Sequence, residues 1–446
     1  MIRLIVSDLV AHARVWVGTL AVTIAAGFVA ALAAGLIETG AAYGGGVQEG
    51  LGSTSAVVIV FTTIAALIVL SSTANLAVAL QQRSYALWQL VGIRPALVGL
   101  VVLTQLGIVG IVGALIGCLI AAPSIGPLFA WSFADWPTMR GVEFELSFVG
   151  MLLVTAGIVV VILVGGLRGA RRASRTPPIE ALRDPEPPRI RMGWFRIVLA
   201  AGMIAASVGM SVGMNGARFS QVSGMAPLLT PMIAGVLAAG GPLLYPLVLR
   251  AWTSLLPARA SASWFLARNS ARYRLSQSAA AVGPLMVALS LAGGLYTSGA
   301  TLAAAQAEQT GSTGGFAPAP EGVVILLGGP LLLSAIGAAA TVFMSGQARE
   351  REFALIQAAG STQAAILLTA IWEAVIYTLT AAVLGTLATV AGGIVVAGAV
   401  GLPFPTVSFA TIGLIAGGGF VLILAATVAP TAAALRHEVP RTLAVE

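Results

Sequence analysis

The chain has 446 residues, of which 58% are hydrophobic and 9% charged, with a formal net charge of +7. A soluble domain carries about a quarter charged residues, so this composition excludes a water-soluble fold, and the length is better counted in membrane spans of roughly 20 residues. Every one of the 23 basic residues is arginine, which also excludes a standard P-loop ATPase site, because its G-x-x-x-x-G-K-[ST] motif needs a lysine on the phosphates.

The chain opens on an arginine-bearing amphipathic stretch, Asp8 to Trp16, that leads into an apolar run at 15–37. This run exceeds a signal-peptide core of about 7–15 residues and is followed by more of its kind, so it reads as a retained anchor. Gly44, Gly45 and Gly46 lie in the short connection 38–53 and read as a flexible turn, before a second run at 54–80. Next comes Gln82 to Leu97, polar for this chain yet carrying Leu87, Trp88, Leu90 and Val91 at helical spacing. That pattern predicts a short amphipathic helix lying at the membrane face, ended by Gly92 as a helix C-cap residue.

Runs at 97–122 and 147–167 follow, then a proline-rich connection with Thr176, Pro177, Pro178 and Pro185, Glu186, Pro187, Pro188, which reads as a semi-rigid linker. Beyond it lie runs at 196–214 and 225–249, and a second arginine-bearing stretch, Arg268 to Ser276. The remaining runs are 277–298, 322–345, 364–394 and 408–434, with a second polar segment, Arg349 to Ala365, ahead of the run at 364. Runs this long and continuous predict helices rather than barrel strands, which would alternate over about ten residues. The expected fold is an all-α integral membrane protein of about ten transmembrane helices.

With ten spans and both termini on one side, only Arg140 and Arg218 fall opposite the other arginines. The positive-inside rule then puts both termini in the cytoplasm. The outer connections are short, and the positive charge serves topology; no nucleic acid partner is expected. Cys118 reads as a packing residue, and His12 and His437 as solvated interfacial side chains, so neither disulfide nor metal site is expected.

Sliding the chain against itself by 268 residues aligns Arg83 to Leu119 with Arg351 to Leu387 without a gap. Arg83/Arg351, Gln89/Gln357 and Gly92/Gly360 keep one spacing, as do Ala86/Ala354, Leu87/Leu355 and Gly117/Gly385. Two four-span units in parallel repeat are expected, with an extra pair of spans between them. The boundaries are 1–183 for the first unit with its amphipathic helix, 184–195 for the linker, 196–249 for the inserted pair and 250–446 for the second unit.

The segments Arg83-Ser84-Tyr85-Ala86-Leu87-Trp88-Gln89-Leu90-Val91-Gly92 and Arg351-Glu352-Phe353-Ala354-Leu355-Ile356-Gln357-Ala358-Ala359-Gly360 resemble the R-x-x-A-L-x-x-x-x-G segment of the FtsX-like permease family, the membrane subunits of type VII, MacB-like ABC transporters. Pro178 to Arg183 resembles that family's P-x-E-A-L-R ending, whereas Val439 to Leu443 keeps only the proline. The resemblance implies that both segments are coupling helices docking on a cytoplasmic ABC ATPase, two copies per chain, which holds the ATP and magnesium. Arg83, Leu87, Trp88, Gln89 and Gly92, with Arg349, Arg351, Phe353, Leu355, Gln357 and Gly360, are the candidate coupling residues. No catalytic residue and no cofactor is expected in the chain itself.

Glu373 is the one carboxylate well inside a run, and its repeat partner is Gln105. An acid in hydrocarbon is a functional candidate by default, although Trp372 beside it marks an interface and a structural hydrogen bond explains it equally well. Gly113-x-x-x-Gly117 and its counterpart Ala381-x-x-x-Gly385 read as helix packing. The leading expectation is a permease in a bacterial cytoplasmic membrane that exports or extracts an amphipathic substrate such as an antimicrobial peptide, drug, haem or lipid. A mechanical or signalling transmitter of the same family and an ion-coupled secondary transporter stay open as alternatives.

Overall fold

The computed structural model describes residues 7–9, 12–134, 136–139, 141–175, 194–257, 261–273, 275–310, 320–347, 355, 357 and 360–434. Among them there is no strand. The helices are α1 (Ala13–Tyr43), α2 (Gly45–Leu80), α3 (Gln82–Leu90), α4 (Pro95–Ser132), α5 (Phe148–Arg175), α6 (Trp194–Met214) and α7 (Phe219–Ala239). They continue with α8 (Gly241–Thr253), α9 (Ala262–Tyr273), α10 (Leu275–Thr310), α11 (Pro320–Gln347), α12 (Gln363–Val400) and α13 (Phe409–Ala434). Ten of them, all but α3, α8 and α9, are long and apolar enough to cross a membrane, so the chain is a multi-pass, all-α membrane protein.

Several helices run past the apolar stretches read from the sequence. The 38-residue helices α4 and α12 are each about 57 Å long, nearly twice the thickness of the hydrocarbon layer, so they project beyond it. The connection expected at 38–53 shrinks to Gly44, where positive φ at Gly44 and Gly45 folds α2 directly back on α1. The run expected as one span at 225–249 is broken. It divides at Gly240 into the spanning α7 and the 13-residue α8, because Pro242 lacks the amide that would carry the ladder across Gly240-Gly241.

The four spans α1, α2, α4 and α5 pack as one set, with α1 laid most extensively on α4, then on α2, while α5 covers α4 and α2. Helices α10, α11, α12 and α13 repeat that order of packing extent position by position. The two sets meet where α2 faces α11, flanked by α1 against α11 and α2 against α10. One core therefore runs across the seam, from Val29, Phe61 and Val69 to Met286, Leu289 and Leu333.

Close helix approach depends on small residues. A Cβ on Gly117 would overlap the carbonyl oxygen of Ile24 and come within 2.6 Å of the Phe28 amide nitrogen; a Cβ on Gly113 would overlap Thr23 Oγ1. At the matching crossing of α10 and α12, a Cβ on Gly385 would lie 2.7 Å from Leu289 Cβ. These glycines are packing residues of the α1–α4 and α10–α12 contacts. Cys118, on the same face of α4, is fully buried.

Helices α6 and α7 break the similarity of the two sets. α7 lies against α2, α10 and α12, with Thr230 set so that a Cβ on Gly294 of α10 would come within 2.6 Å of its Cγ2 and one on Gly392 of α12 within 2.5 Å of its Oγ1. As a result 94% of α10's most apolar window is buried against 61% for α1, while α6 has only 6% buried and leaves its apolar surface open.

Candidate functional site

The site is the corner where α2 passes through α3 into α4, at the arginine-rich end of the bundle. Gln81 ends α2, and the nine residues of α3 are too few for a stable isolated helix, so side chains must hold it in place. Gly92 ends the corner with φ +96°, its amide donating to the Gln89 carbonyl at 3.1 Å, and Arg94 is extended before Pro95 starts α4.

One face of α3 is spent on the protein. Tyr85 is fully buried; its hydroxyl donates to Gln81 Oε1 at 2.7 Å and lies 3.4 Å from Gln105 Oε1 on α4. Gln105 Nε2, also buried, donates to Asp8 Oδ2 at 2.8 Å. Asp8 Oδ1 is 3.1 Å from His12 Nδ1, and His12 Nε2 is 3.3 Å from Ser84 Oγ, which returns the chain of contacts to α3. Five side chains thus close a circuit through the amino-terminal stretch, α3 and α4. A third anchor is Gln89, whose Nε2 donates to the Ala173 carbonyl of α5 at 2.9 Å. Trp88 meets Tyr85 edge to face at 5.4 Å and is partly buried against the core. Burial, and secondarily the Asp8 charge, holds the Tyr85 phenol far above its ordinary pKa, so it stays a hydrogen-bond donor.

The opposite face is open. Arg83 is exposed, as are Leu87 (45%), Leu90 (51%) and Val91 (86%). Residues 83, 87, 90 and 91 recur at i, i+4, i+7 and i+8, one stripe of a helix. Of the first-half candidates, Arg83 and Leu87 therefore face outward, whereas Trp88 and Gln89 serve the attachment of α3.

In the second half Arg349, Arg351 and Phe353 lie outside the described residues, as do the endings at Pro178 to Arg183 and Val439 to Leu443. Leu355 is 55% exposed, Gln357 is half-buried, and Gly360 repeats Gly92 with φ +94° and its amide 2.9 Å from the Gln357 carbonyl. Thr362 caps α12, its hydroxyl accepting from the Ala365 amide at 3.2 Å, in the place where Arg94 and Pro95 open α4. Glu373 is 2% exposed. Beside it, Trp372 packs edge to face on the buried Trp264 of α9 at 5.2 Å, and Trp264 lies 6.2 Å from Trp252.

Asp8, His12, Gln81, Ser84 and Tyr85 are members of the site that composition and repeat did not single out. His12, read as a solvated side chain, is instead bonded on both ring nitrogens; the acid–histidine spacing Asp8-x-x-x-His12 was the available signal. Gln105, singled out as the partner of Glu373, is the junction of the circuit.

Residues 324–439, from within α11 through α12 and α13, match the family model described as FtsX-like permease C-terminal. No curated protein matches the chain. The matched segment contains Leu355, Gln357, Gly360 and Glu373, so the carboxy-terminal part of this multi-pass, all-α membrane protein is similar to the C-terminal region of FtsX-like permeases.

Proposed function

We propose that this chain is the permease subunit of a type VII, MacB-like ABC transporter, in which a separate cytoplasmic ATPase, two copies per chain, drives export or extraction of an amphipathic substrate. The observation that carries the reading is α3. It presents Arg83, Leu87, Leu90 and Val91 outward while its buried face is tied to three other elements. A protein that docks on that stripe would find apolar anchors and an arginine for acidic groups of its own. Because α3 is bonded to α4, α5 and the amino-terminal stretch, pushing it moves packed helices rather than a free loop.

The repeat supports a second docking segment ending at Gly360, where the same left-handed glycine precedes α12. The similar packing of α1, α2, α4, α5 and of α10 to α13 supports two four-span units, 1–183 and 250–446, separated by the linker 184–195 and the inserted pair. The break at Gly240 would end that pair's second span before 249, leaving α8 as its continuation. The arginine distribution supports placing both termini and both docking segments in the cytoplasm of a bacterial cell. Burial of Glu373 within the first third of α12, next in sequence to Trp372, favours a structural carboxyl over a substrate site at mid-membrane.

The test is charge reversal at Arg83 and Arg351 in vesicles reconstituted with the partner ATPase. Transport should be lost while ATP hydrolysis persists, and Leu87→Asp should weaken copurification of the two proteins. Unchanged coupling in the doubly reversed chain would overturn the reading.

A further inference from the structure

The amino-terminal stretch and α9 each precede the first span of a four-span set, and matching Asp8–Trp16 with Arg268–Ser276, a shift of 260 residues rather than 268, sets Asp8 and His12 opposite Arg268 and Arg272. In the first half that i, i+4 pair is acid and base, 3.1 Å apart. In the second both members are arginine, and a third arginine, Arg250 on the last turn of α8, joins them.

Arg272 is fixed across the end of α8. Its Nε and Nη2 donate to Thr253 Oγ1 at 3.1 and 2.7 Å, and Nη2 also donates to the Arg250 carbonyl at 3.2 Å. Arg268 Nε is buried and has no hydrogen-bond partner. Among the described residues no carboxylate forms an ion pair with any of the three. Burial, then the charges of Arg268 and Arg250, push the Arg272 pKa down, as expected where like charges converge. Guanidinium groups suit an oxyanion through their planar fork of donors; here Arg250 is exposed, whereas Arg272 has Nε and Nη2 engaged and adds mainly its charge.

The surroundings identify the source of that phosphate. Phe265 (49% exposed) and Tyr273 (65%) form the stripe of α9 next to Arg268 and Arg272, and Leu255 (83%) and Leu256 (42%) follow the end of α8. Apolar side chains left open beside a cationic cluster, where spans meet the membrane surface, suit a headgroup with its acyl chains attached. We propose that Arg250, Arg268 and Arg272 bind the phosphate of an anionic lipid headgroup, with Leu255, Leu256, Phe265 and Tyr273 against its acyl chains. This site is independent of the ATPase-docking stripe on α3.

The experiment is thermal unfolding of the full chain in neutral detergent, titrated with phosphatidylglycerol, phosphatidylcholine or inorganic phosphate. Phosphatidylglycerol should raise the melting temperature at concentrations where phosphatidylcholine does not. R250Q and R268Q together should raise the half-saturating concentration by about tenfold or more, and R250Q alone, at an exposed position, should weaken it without loss of fold. R218Q, at the opposite end of the bundle, should leave the titration unchanged. Equal stabilisation by phosphatidylcholine, an unaltered titration in R250Q/R268Q, or full reproduction of the shift by inorganic phosphate would each overturn the lipid assignment.

Discussion

Replacing Gly117 by alanine tests how closely α1 and α4 must approach. The added Cβ would overlap the Ile24 carbonyl oxygen and stand 2.6 Å from the Phe28 amide nitrogen and 3.0 Å from the Gly27 carbonyl carbon. All three are backbone atoms, so no rotamer change relieves them and the two helices must part along their largest contact. Overpacking of this kind costs about 1–3 kcal/mol. Alanine also stabilises a helix over glycine by up to about 1 kcal/mol, a term that must be removed before the steric cost is read. Gly107→Ala, on the same helix, supplies that correction, because its Cβ would meet only Leu163 Cδ2 at 3.9 Å. The difference between the two variants, measured by reversible unfolding in detergent, should be about 1–3 kcal/mol against Gly117→Ala. A difference below about 0.5 kcal/mol, smaller than any overpacking cost, would refute the argument that this crossing is set by backbone contact.

Tyr85→Phe removes the hydroxyl bonded to Gln81 Oε1 and leaves that buried acceptor without its donor, so it should cost about 2 kcal/mol in the same assay. The parent should also show a pH limb that this variant lacks. With its folded-state pKa raised, Tyr85 contributes stability in full below the unfolded value of about 10 and loses it as pH climbs further, because only the unfolded chain can release the proton. Thr230→Leu would put a larger side chain where glycines of α10 and α12 close on α7, and should lower the melting temperature; a variant as stable as the parent would show that the inserted pair does not dock there.

Much of the fold was legible because a membrane imposes one rule on every span. About 20 continuous apolar residues must be helical to satisfy their own backbone, so ten such runs could be counted without knowing what they touched. Arg83, Gln89 and Gly92 could be paired with Arg351, Gln357 and Gly360 because a repeated sequence spacing needs no tertiary information. Gly92 and Gly360 carry the left-handed φ that the amphipathic segments needed to stop.

Other features depended on neighbours distant in the chain. Whether Trp88 and Gln89 point inward, while Leu87 and Val91 stay open, is set by which flank of α3 meets α4 and α5, and the local pattern of a nine-residue helix fits several rotations. The Asp8–His12–Ser84–Tyr85–Gln105 circuit joins residues up to 97 positions apart, which no local pattern connects. The composition of α6 and α10 marks both simply as spans, yet one is nearly bare and the other nearly enclosed. The amino-acid sequence by itself determined that the chain forms membrane helices, how many, and that two stretches repeat, since those follow from backbone satisfaction and local spacing. Only tertiary packing decided which faces are used up and which arginines are gathered at the end of α8, because burial and charge balance belong to the assembled helices and not to any one of them.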